Sequence, residues 1–547
     1  MVIIFHFGQV KADENGICGE GITWSFESVT GTLTISGNGP MYNSSKNKST
    51  LTGDEYGSAS WYKYRGNINN LVIEYGVTYI GNYSFYDCEA ITSVTLPESI
   101  TSIGEGAFEH CTGLTSVTFP KSLTEIGVTA FENCSHLASV YIPDGVTNLG
   151  DGAFHKCWNL ANIRISTNLT DLHKYTFEET QWFRDQPDGV IYIDKWIYGW
   201  KGNMDENTRL KLSNGYKAIA SGAFSSLTNL VHVTIPEGVT SIGEGAFFGC
   251  SNLASVTIPQ SMRDIGENAF QLCRSLASIN IPPSVRYIGK AAFWLCESLT
   301  SITIPEGVTT IFDDAFRNCY KLGSITIPNS VSYLGYNAFL GTAWLDNQPN
   351  GVVYIGKWVY SWKGSVPENT AVVVKNGCKH IGDRIFANKN FTSVSIPESL
   401  ISIGRSAFYG SSITSMIIPR CLTSIGSSAF GFCKKLSSIY ILAPSLDAYE
   451  DNVFSTGLKT RKIYVPASSV DTYKANWNNY TKEIFAIPAG NGDANNDKSV
   501  DMDDVKTMAG IICPTPTTDA YYIPSADMNA DGVLDAADIV LLINKVK

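Results

Sequence analysis

Residues 250–270 read CSNLASVTIPQSMRDIGENAF, and variants of this phrase recur along most of the 547-residue chain. Its final phenylalanine sets the period, because it returns at one constant spacing in two runs and at nearly the same spacing in a third. The runs are Phe85, Phe108, Phe131, Phe154 and Phe177; Phe224, Phe247, Phe270, Phe293, Phe316 and Phe339; and Phe386, Phe408, Phe430 and Phe454. A period of about 23 residues predicts a solenoid of stacked repeats, since a conventional globular domain has no reason to produce it.

Each repeat is expected to supply one short strand followed by a turn. Leu253, Val256 and Ile258 point inward, and Pro259 ends the strand because it has no N–H to donate. The I-G-x-x-A-F part of the phrase returns the chain along the opposite wall, with its glycine expected to permit a tight turn. Since one repeat cannot bury its own apolar face, neighbours stack at a strand spacing of ~4.8 Å. The sequence therefore predicts a repeat solenoid with a parallel β-sheet.

The repeated phrase resembles the BspA-type leucine-rich repeat of bacterial surface proteins, over residues 70–465. It departs from the commoner leucine-rich repeat because no Asn follows the strand, so the loop on that side should differ from the usual asparagine ladder. The resemblance implies a secreted or cell-surface bacterial protein.

Two related inserts interrupt the repeats, near residues 181–216 and 343–378. They contain the stretches WFRDQPDGVIYIDKWIYGWKG, from Trp182, and WLDNQPNGVVYIGKWVYSWKG, from Trp344, which align without a gap. Each stretch predicts a β-hairpin, because two β-rich runs flank a two-residue turn. The turns are expected at Asp194-Lys195 and at Gly356-Lys357.

Each predicted hairpin carries three aromatic residues that alternate on one face. They are Trp196, Tyr198 and Trp200 in the first hairpin and Trp358, Tyr360 and Trp362 in the second. Such a strip of rings can bind a ligand by stacking on sugar rings. Alternatively, the aromatic residues pack on the solenoid and join its sub-arrays, and this is the interpretation that we favour.

The two ends of the solenoid are expected to carry caps, because an exposed strand edge invites pairing with another chain. Residues 13–69 are predicted to form an N-terminal β cap that begins with an antiparallel hairpin. Residues 466–490 are predicted to form a C-terminal cap and linker, partly helical. Residues 1–12 contain a short apolar run, and we interpret them as the remnant of a signal peptide, with a first strand as the alternative.

Eight of the thirteen cysteines share one position in the repeat, so they should stack as a column of small side chains. They are Cys88, Cys111, Cys134, Cys157, Cys250, Cys273, Cys296 and Cys319. A zinc site would require C-x-x-C pairs, and the sequence has none. Disulfides between successive turns are sterically conceivable, but we favour free, buried thiols that act as small apolar groups.

Composition excludes several functional classes. Charged residues are only 17% and the net charge is −11, which argues against a nucleic-acid partner, since such a partner requires basic patches. No apolar run approaches the ~18 residues of a membrane span. The repeats contain no recognisable catalytic motif, so we expect no enzymatic activity. The charge is also uneven, because residues 491–547 hold ten Asp and four Lys.

This acidic segment contains two loops with the spacing of calcium-binding EF-hand loops. Calcium prefers six to eight oxygen ligands, which the Asp, Asn and Ser side chains and one backbone carbonyl of such loops supply. The predicted ligands are Asp493, Asn495, Asp497, Ser499, Asp501 and Asp504 in the first loop and Asp527, Asn529, Asp531, Val533, Asp535 and Asp538 in the second. The first site should be weaker, because Lys498 replaces the glycine that the sixth position favours.

Each loop opens a helix without the entering helix of an EF-hand, and this arrangement resembles a type I dockerin over residues 491–547. The resemblance implies a small α-helical calcium module that binds a cohesin on a scaffold protein. The contact positions of that family fall on Met502 and Asp503 in the first loop and on Ala536 and Ala537 in the second. Because the two pairs differ, binding in two symmetric orientations is not expected.

Together these features predict a non-catalytic adhesion or binding protein, secreted or at the cell surface. Its solenoid would bind a host or microbial surface protein or a glycan, and its dockerin would bind a cohesin in a calcium-dependent way. The alternative is a component of a polysaccharide-degrading multi-enzyme complex, with a carbohydrate-binding or hydrolytic role. A third interpretation is purely structural, in which the acidic module stabilises the C-terminal part and binds no partner.

Overall fold

The computed structural model describes residues 14–44, 59–367, 370–391, 393–448, 453–455 and 461–487. Residues 1–12, both calcium loops and the expected cohesin-contact positions lie outside the described residues. The chain divides into two compact units, the first within residues 1–300 and 318–320 and the second within residues 301–317 and 321–547.

The first unit begins with an antiparallel sheet that covers the start of the repeats. Strands Glu14–Gly19, Ile22–Glu27 and Thr32–Gly37 pair in sequence, and Asn70–Ile73 adds in parallel to the third. A 3₁₀-helix spans Tyr62–Asn67. Trp61 from the segment before it is buried and stacks on Phe85, with ring centroids 5.7 Å apart.

Each repeat then contributes to two sets of parallel strands. The first set, which we call the hydroxyl ladder, carries mostly Ser and Thr at its outward positions. In the first unit it comprises Ser93–Thr95, Ser116–Thr118, Ser139–Tyr141, Asn162–Arg164, Thr208–Lys211, Leu230–Thr234, Ser255–Thr257 and Ser278–Ile279. In the second unit it comprises Ser301–Thr303, Ser324–Thr326, Ala371–Val373, Ser393–Ser395, Ser415–Ile418, Ser438–Ile441, Lys462–Val465 and Ile484–Ala486.

The second set, which we call the dipeptide ladder, consists mainly of two-residue strands just before the repeat glycine. In the first unit it comprises Gly39–Pro40, Val77–Ile80, Ser102–Ile103, Glu125–Ile126, Asn148–Leu149, Ala218–Ile219, Ser241–Ile242, Asp264–Ile265 and Tyr287–Ile288. In the second unit it comprises Thr310–Ile311, Tyr333–Leu334, His380–Ile381, Ser402–Ile403, Ser424–Ile425 and Asp447–Ala448. The predicted parallel solenoid is therefore confirmed. It also has a second ladder of short strands, in a part of the repeat where the sequence predicted only a turn.

The repeat glycine is needed for a reason other than the expected one. A Cβ added to Gly127 would lie 2.6 Å from the backbone nitrogen of Glu105, and one added to Gly150 would lie 2.2 Å from that of Val128. The positive φ angle falls two residues later, for example at Thr129 with φ 50°. The interpretation of the repeat glycine as a tight-turn residue is thus wrong, because it serves the close approach of successive repeats.

Stacked phenylalanines fill the core between the two ladders. In the first run, the ring centroids of successive residues from Phe85 to Phe177 lie 5.1–5.8 Å apart. The same stacking continues from Phe224 to Phe293 at 5.2–5.3 Å. In the second unit, successive rings from Phe386 to Phe454 lie 5.2–5.7 Å apart. All of these side chains are buried.

The cysteine column lies beside the phenylalanines, and each described cysteine is a free thiol. The thiols of Cys111 and Cys134 donate to the carbonyl oxygens of Phe85 and Phe108 at 3.1 and 3.2 Å, which joins one repeat to the one before it. The thiols of Cys157, Cys250, Cys273, Cys296 and Cys319 do the same at 3.0–3.2 Å. Burial raises the pKa of the Cys88 thiol to about 12, so it stays protonated.

Both inserts form the predicted hairpins. Strands Gly189–Ile193 and Trp196–Lys201 make the first hairpin, and Gly351–Ile355 and Trp358–Lys363 make the second. The outer strand of each hairpin is antiparallel, whereas the inner strand pairs in parallel with Ala218–Ile219 or His380–Ile381 of the dipeptide ladder. Each hairpin therefore starts a new stretch of that ladder and covers its first edge.

Few helices are present among the described residues. Short α-helices span Gln181–Asp185, Ala343–Asp346 and Val470–Asn476, and 3₁₀-helices span Lys174–Phe177, Ala467–Ser469 and Asn478–Tyr480. No helix in the described ranges has the length and apolar character that a membrane crossing requires.

Candidate functional site

The six aromatic residues of the hairpins differ in exposure. Trp196 and Tyr198 are only 2% and 1% exposed, and Trp358 and Tyr360 are 6% and 8% exposed. The third ring of each hairpin, Trp200 or Trp362, is half-buried. Only these third rings therefore offer appreciable surface to a ligand.

The central tyrosines extend the phenylalanine stack into each insert. The Tyr198 ring lies 6.2 Å from Phe177 and 5.7 Å from Trp182, measured between centroids. The Tyr360 ring lies 5.6 Å from Phe339 and 5.9 Å from Trp344. This geometry favours packing on the solenoid over a sugar-stacking strip for these rings.

Hydrogen bonds of the two tyrosine hydroxyls are not equivalent. The Tyr198 hydroxyl accepts from the Phe177 N–H at 2.9 Å and donates to the Lys174 carbonyl. The Tyr360 hydroxyl accepts from the Phe339 N–H at 2.6 Å, but its proton has no acceptor in the described part of the chain. Burial raises the pKa of both hydroxyls, so each remains a donor at neutral pH.

A cavity of about 170 Å³ lies beside the second hairpin. Its lining includes the rings of Tyr336, Tyr360 and Trp362 and the charged side chains of Arg384 and Lys389. Sequence reasoning missed both cations, because they belong to the repeat that follows the insert. The only available signal was that the phenylalanine period resumes at Phe386, between them.

The charges around this cavity are unevenly compensated. The carboxylate of Asp383, which also lines it, accepts from the Arg405 backbone N–H at 2.7 Å and lies 3.6 Å from the Arg405 guanidinium. Burial raises the pKa of Asp383. Arg384 lies over the Tyr336 ring, 5.3 Å from its centroid, and neither Arg384 nor Lys389 forms an ion pair with a described carboxylate.

The hydroxyl ladder provides a second candidate surface. Ser93, Thr95, Ser116 and Thr118 are exposed on strands whose middle residues turn inward. Tyr141 and Arg164 interrupt this pattern on paired strands. Tyr141 is 51% exposed, and the Arg164 guanidinium lies 4.7 Å from the centroid of its ring.

His232 also interrupts the hydroxyl pattern of the first unit. Its ring nitrogens lie 2.8 Å from the Ser255 hydroxyl and 3.0 Å from the Thr234 hydroxyl. Within the described ranges, no group of three or more His, Cys, Asp or Glu side chains has the arrangement of a metal site.

The structure adds no geometry for the acidic segment, because residues 488–547 lie outside the described residues. This applies to the predicted calcium ligands between Asp493 and Asp538 and to the predicted contact positions Met502, Asp503, Ala536 and Ala537. Their chemistry is nevertheless specific. Carboxylate and amide oxygens are present in both side-chain sets, and the first adds the hydroxyl of Ser499, which suits a hard cation such as Ca²⁺.

Family models match most of the described chain and the acidic segment. The BspA type leucine rich repeat region, in six copies, matches residues 57–183, 217–345 and 354–484. The dockerin type I domain matches residues 491–547. No curated protein matches this chain.

Several solved structures are similar to the chain. A leucine-rich repeat protein from Eubacterium ventriosum is 26% identical with a TM-score of 0.34, over 60% of this chain and 95% of that one. A leucine rich cell surface protein from Faecalibacterium prausnitzii is 26% identical with a TM-score of 0.28, over 61% and 94%. A leucine-rich repeat protein from Bacteroides ovatus is 20% identical with a TM-score of 0.28, over 86% and 99%.

The repeat model covers well over half of the residues, and both resemblances seen in the sequence are thereby confirmed. Both families are generally non-catalytic, and type I dockerins bind calcium. The chain belongs to the BspA-type leucine-rich repeat family and carries a type I dockerin domain at residues 491–547.

Proposed function

We propose that this protein is a non-catalytic binding protein that is displayed outside the cell. Its dockerin binds a cohesin-bearing scaffold when calcium is present, and its solenoid binds a surface protein or a glycan. The observation that supports ligand binding by the solenoid is the outward face of the hydroxyl ladder, where exposed Ser and Thr side chains lie on the strands before the Tyr141–Arg164 pair.

This face suits a polar partner for physical reasons. Its hydroxyls can both donate and accept hydrogen bonds, so they match the hydroxyl groups of a glycan or the backbone of a protein loop. An exposed tyrosine under an arginine adds an aromatic anchor of the kind that is enriched at the centres of interfaces. The low charge of the solenoid is compatible with such a partner and unsuited to a nucleic acid.

For the docking half, we propose two calcium sites, with the one that contains Lys498 being the weaker. Four or more carboxylates in one short loop repel each other until a cation neutralises them, so folding of the segment should depend on calcium. The cohesin contact is proposed to involve Met502 and Asp503 or Ala536 and Ala537.

A second candidate function is a carbohydrate-binding role within a polysaccharide-degrading complex. It is favoured by the cavity beside the second hairpin, whose lining combines aromatic rings with hydrogen-bonding groups. Such a mixed lining is common in small-molecule sites.

Docking is tested with the full chain against a panel of immobilised cohesins, with calcium and with a chelator. We expect capture by at least one cohesin with calcium and loss of capture with the chelator. The variant Asp531→Ala should abolish capture more completely than Asp497→Ala, since it damages the stronger site. If no cohesin retains the calcium-loaded protein, the proposal that the dockerin binds a cohesin is wrong.

Ligand binding by the hydroxyl ladder is tested on glycan arrays and on bacterial and host cell surfaces. The double variant Tyr141→Ala/Arg164→Ala should lower binding of any ligand that the native chain retains. A matched double variant on an adjacent pair of outward positions, Ser116→Ala/Thr118→Ala, should lower it less. Equal binding by the native chain and the Tyr141/Arg164 variant would remove this pair from the proposed site.

A further inference from the structure

The two inserts share a scaffold, but the cavity of the second has a different chemistry. Positions at equal distances from Trp182 and Trp344 correspond, so Arg384 and Lys389 have Gly222 and Leu227 as their counterparts in the first insert. Asp383 corresponds to Ser221 in the same way. The second insert thus carries two cations at positions where the first has a glycine and a leucine.

These two cations have no carboxylate partner in the described part of the chain, although both line the cavity. The nearby carboxylate of Asp383 is already engaged by Arg405 through its backbone N–H and its guanidinium. A cavity with two such cations and one compensated carboxylate has a positive excess, which favours a ligand that carries an anionic group.

The rest of the lining is suited to a sugar ring. Trp362 is half-buried, and its indole N–H is occupied by the Gly364 carbonyl at 3.1 Å, which fixes the ring in place. The Tyr360 hydroxyl keeps a proton with no described acceptor. A fixed aromatic face and an unused hydrogen-bond donor at one cavity are the groups with which proteins hold a polar ring.

In the first insert, different side chains fill the corresponding space. Phe183 replaces Leu345 and its ring packs on Tyr198, with centroids 6.5 Å apart. The Lys174 side chain, which replaces Tyr336, crosses Gly222, since a Cβ added there would lie 3.7 Å from the Lys174 Cβ. The hydroxyl proton of Tyr198 is also already used.

We propose that the cavity beside the second hairpin binds one acidic sugar unit of a glycan, with its carboxylate at Arg384 and Lys389 and its ring against Trp362. This inference rests on the second candidate function, carbohydrate binding, and narrows it to one site and one ligand class. The volume of about 170 Å³ suits a single ring, since pockets for larger organic ligands have ~300–1,000 Å³.

The experiment titrates the full chain with galacturonic, glucuronic and N-acetylneuraminic acids, and with galactose and glucose as uncharged controls. Binding is followed by saturation-transfer NMR and by tryptophan fluorescence. We expect at least one acid to bind and the uncharged sugars to bind at least about tenfold more weakly, because a charge-assisted hydrogen bond contributes about that factor.

The variant Arg384→Gly/Lys389→Leu installs the residues of the first insert and should lower affinity for the acid by at least about tenfold. It should also fold, because Arg384 is exposed and its φ of 58° favours glycine. Leu345→Phe should lower the affinity of the chain for the acidic sugar, because it introduces the larger ring of the first insert. Trp200→Ala, in the first insert, should leave this affinity unchanged.

Equal affinity for acids and uncharged sugars, no binding of any acid, or unchanged binding by the Arg384/Lys389 variant would each overturn the inference. The proposed function is judged separately on the glycan and cell-surface binding of the full chain. If the Arg384/Lys389 variant binds the acids as the native chain does while the full chain still binds glycans or cell surfaces, the inference fails and the proposed function stands.

Discussion

The two inserts repeat one set of backbone-directed hydrogen bonds almost without change. The Trp200 and Trp362 indole N–H groups donate to the carbonyls of Gly202 and Gly364, both at 3.1 Å. The hydroxyls of Tyr192 and its counterpart each accept from a backbone N–H at 3.1 Å. The tryptophan bonds fix each ring at the end of its hairpin, and the tyrosine bonds join each hairpin to the chain that follows it.

The inserts differ at some exposed side chains and in the hydrogen bonds of a few buried polar groups. Lys195 donates to the carbonyl of Leu169 at 2.9 Å, and the buried indole N–H of Trp196 has no partner in the described chain. In the second insert, the indole N–H of Trp358 reaches the carbonyl of Val331, the counterpart of Leu169, at 3.4 Å. A duplicated frame therefore tolerates changes in the side chains that its shared hydrogen bonds do not use, which is how one copy can acquire a ligand site.

The largest difference is expected from removing the two tyrosine hydroxyls. Tyr198→Phe leaves the Phe177 N–H and the Lys174 carbonyl without their partner, whereas Tyr360→Phe strands only the Phe339 N–H. Because a buried group without a partner costs about 1–3 kcal/mol, we expect losses of about 2–6 kcal/mol for Tyr198→Phe and about 1–3 kcal/mol for Tyr360→Phe. Hydrogen exchange of peptides from each insert measures the two losses. Equal losses would show that the second hydroxyl proton also has an acceptor.

The helix caps of the inserts are expected to show no difference. The Thr180 hydroxyl accepts from the Phe183 N–H at 3.1 Å, and the Thr342 hydroxyl accepts from the Leu345 N–H at 3.2 Å. Each substitution to Ala removes a helix cap, so both should cost about 1–2 kcal/mol. Denaturant unfolding followed by hydrogen exchange measures the loss of stability in each variant. Clearly different losses would mean that the two helix caps contribute unequally, although their hydrogen bonds have nearly the same length.

The solenoid and its hairpins were predictable because the sequence repeats with a regular period. A phenylalanine at the same place in each repeat specifies stacking, and the two-residue turns between β-rich runs specify the hairpins at Asp194 and Gly356. The thiol-to-carbonyl bonds, such as that from Cys111 to Phe85, were not predictable, since the cysteine pattern equally fits apolar packing alone.

The candidate cavity could not be predicted from the hairpin sequence. The aromatic strip identified Tyr360 and Trp362, but the cations that complete the lining come from the repeat that follows the hairpin. Their proximity depends on the parallel pairing of Trp358 with His380, which a one-dimensional motif does not show. The two predicted calcium loops are the opposite case, because all of their predicted ligands lie close together in the sequence.

A smaller effect is expected at a buried hydroxyl that the second insert lacks. Thr176 is fully buried and its hydroxyl has no partner in the described chain, whereas its counterpart is Ala338. Thr176→Val keeps the volume and removes the unpaired hydroxyl, so it should stabilise the first unit by about 1 kcal/mol. Thermal unfolding of this variant is compared with that of Ala338→Thr, which should destabilise the second unit. A destabilised Thr176→Val protein would mean that the hydroxyl has a partner such as a buried water.

The smallest expected difference between the inserts is in how their stability depends on pH. His380 stacks on Trp358 with centroids 4.4 Å apart, at the position that Ala218 holds in the first insert. Burial, followed by the charges of Lys379 and Lys357, lowers the pKa of His380 from 6.5 to about 4. Between these values the unfolded chain binds a proton that the folded His380 does not, so its contribution to stability is present above pH 6.5 and is lost as the pH falls to about 4.

His380→Ala should therefore flatten the pH dependence of unfolding between pH 6.5 and about 4, while Ala218→His should steepen it. The effect is small because the ring is only partly buried and water screens its charge. Unfolding midpoints at several pH values measure the difference between each variant and the native chain, in which all other titrating groups cancel. An unchanged slope in the His380→Ala protein would show that His380 has the same pKa in the folded and the unfolded chain. Its stacking on Trp358 would then not disfavour protonation.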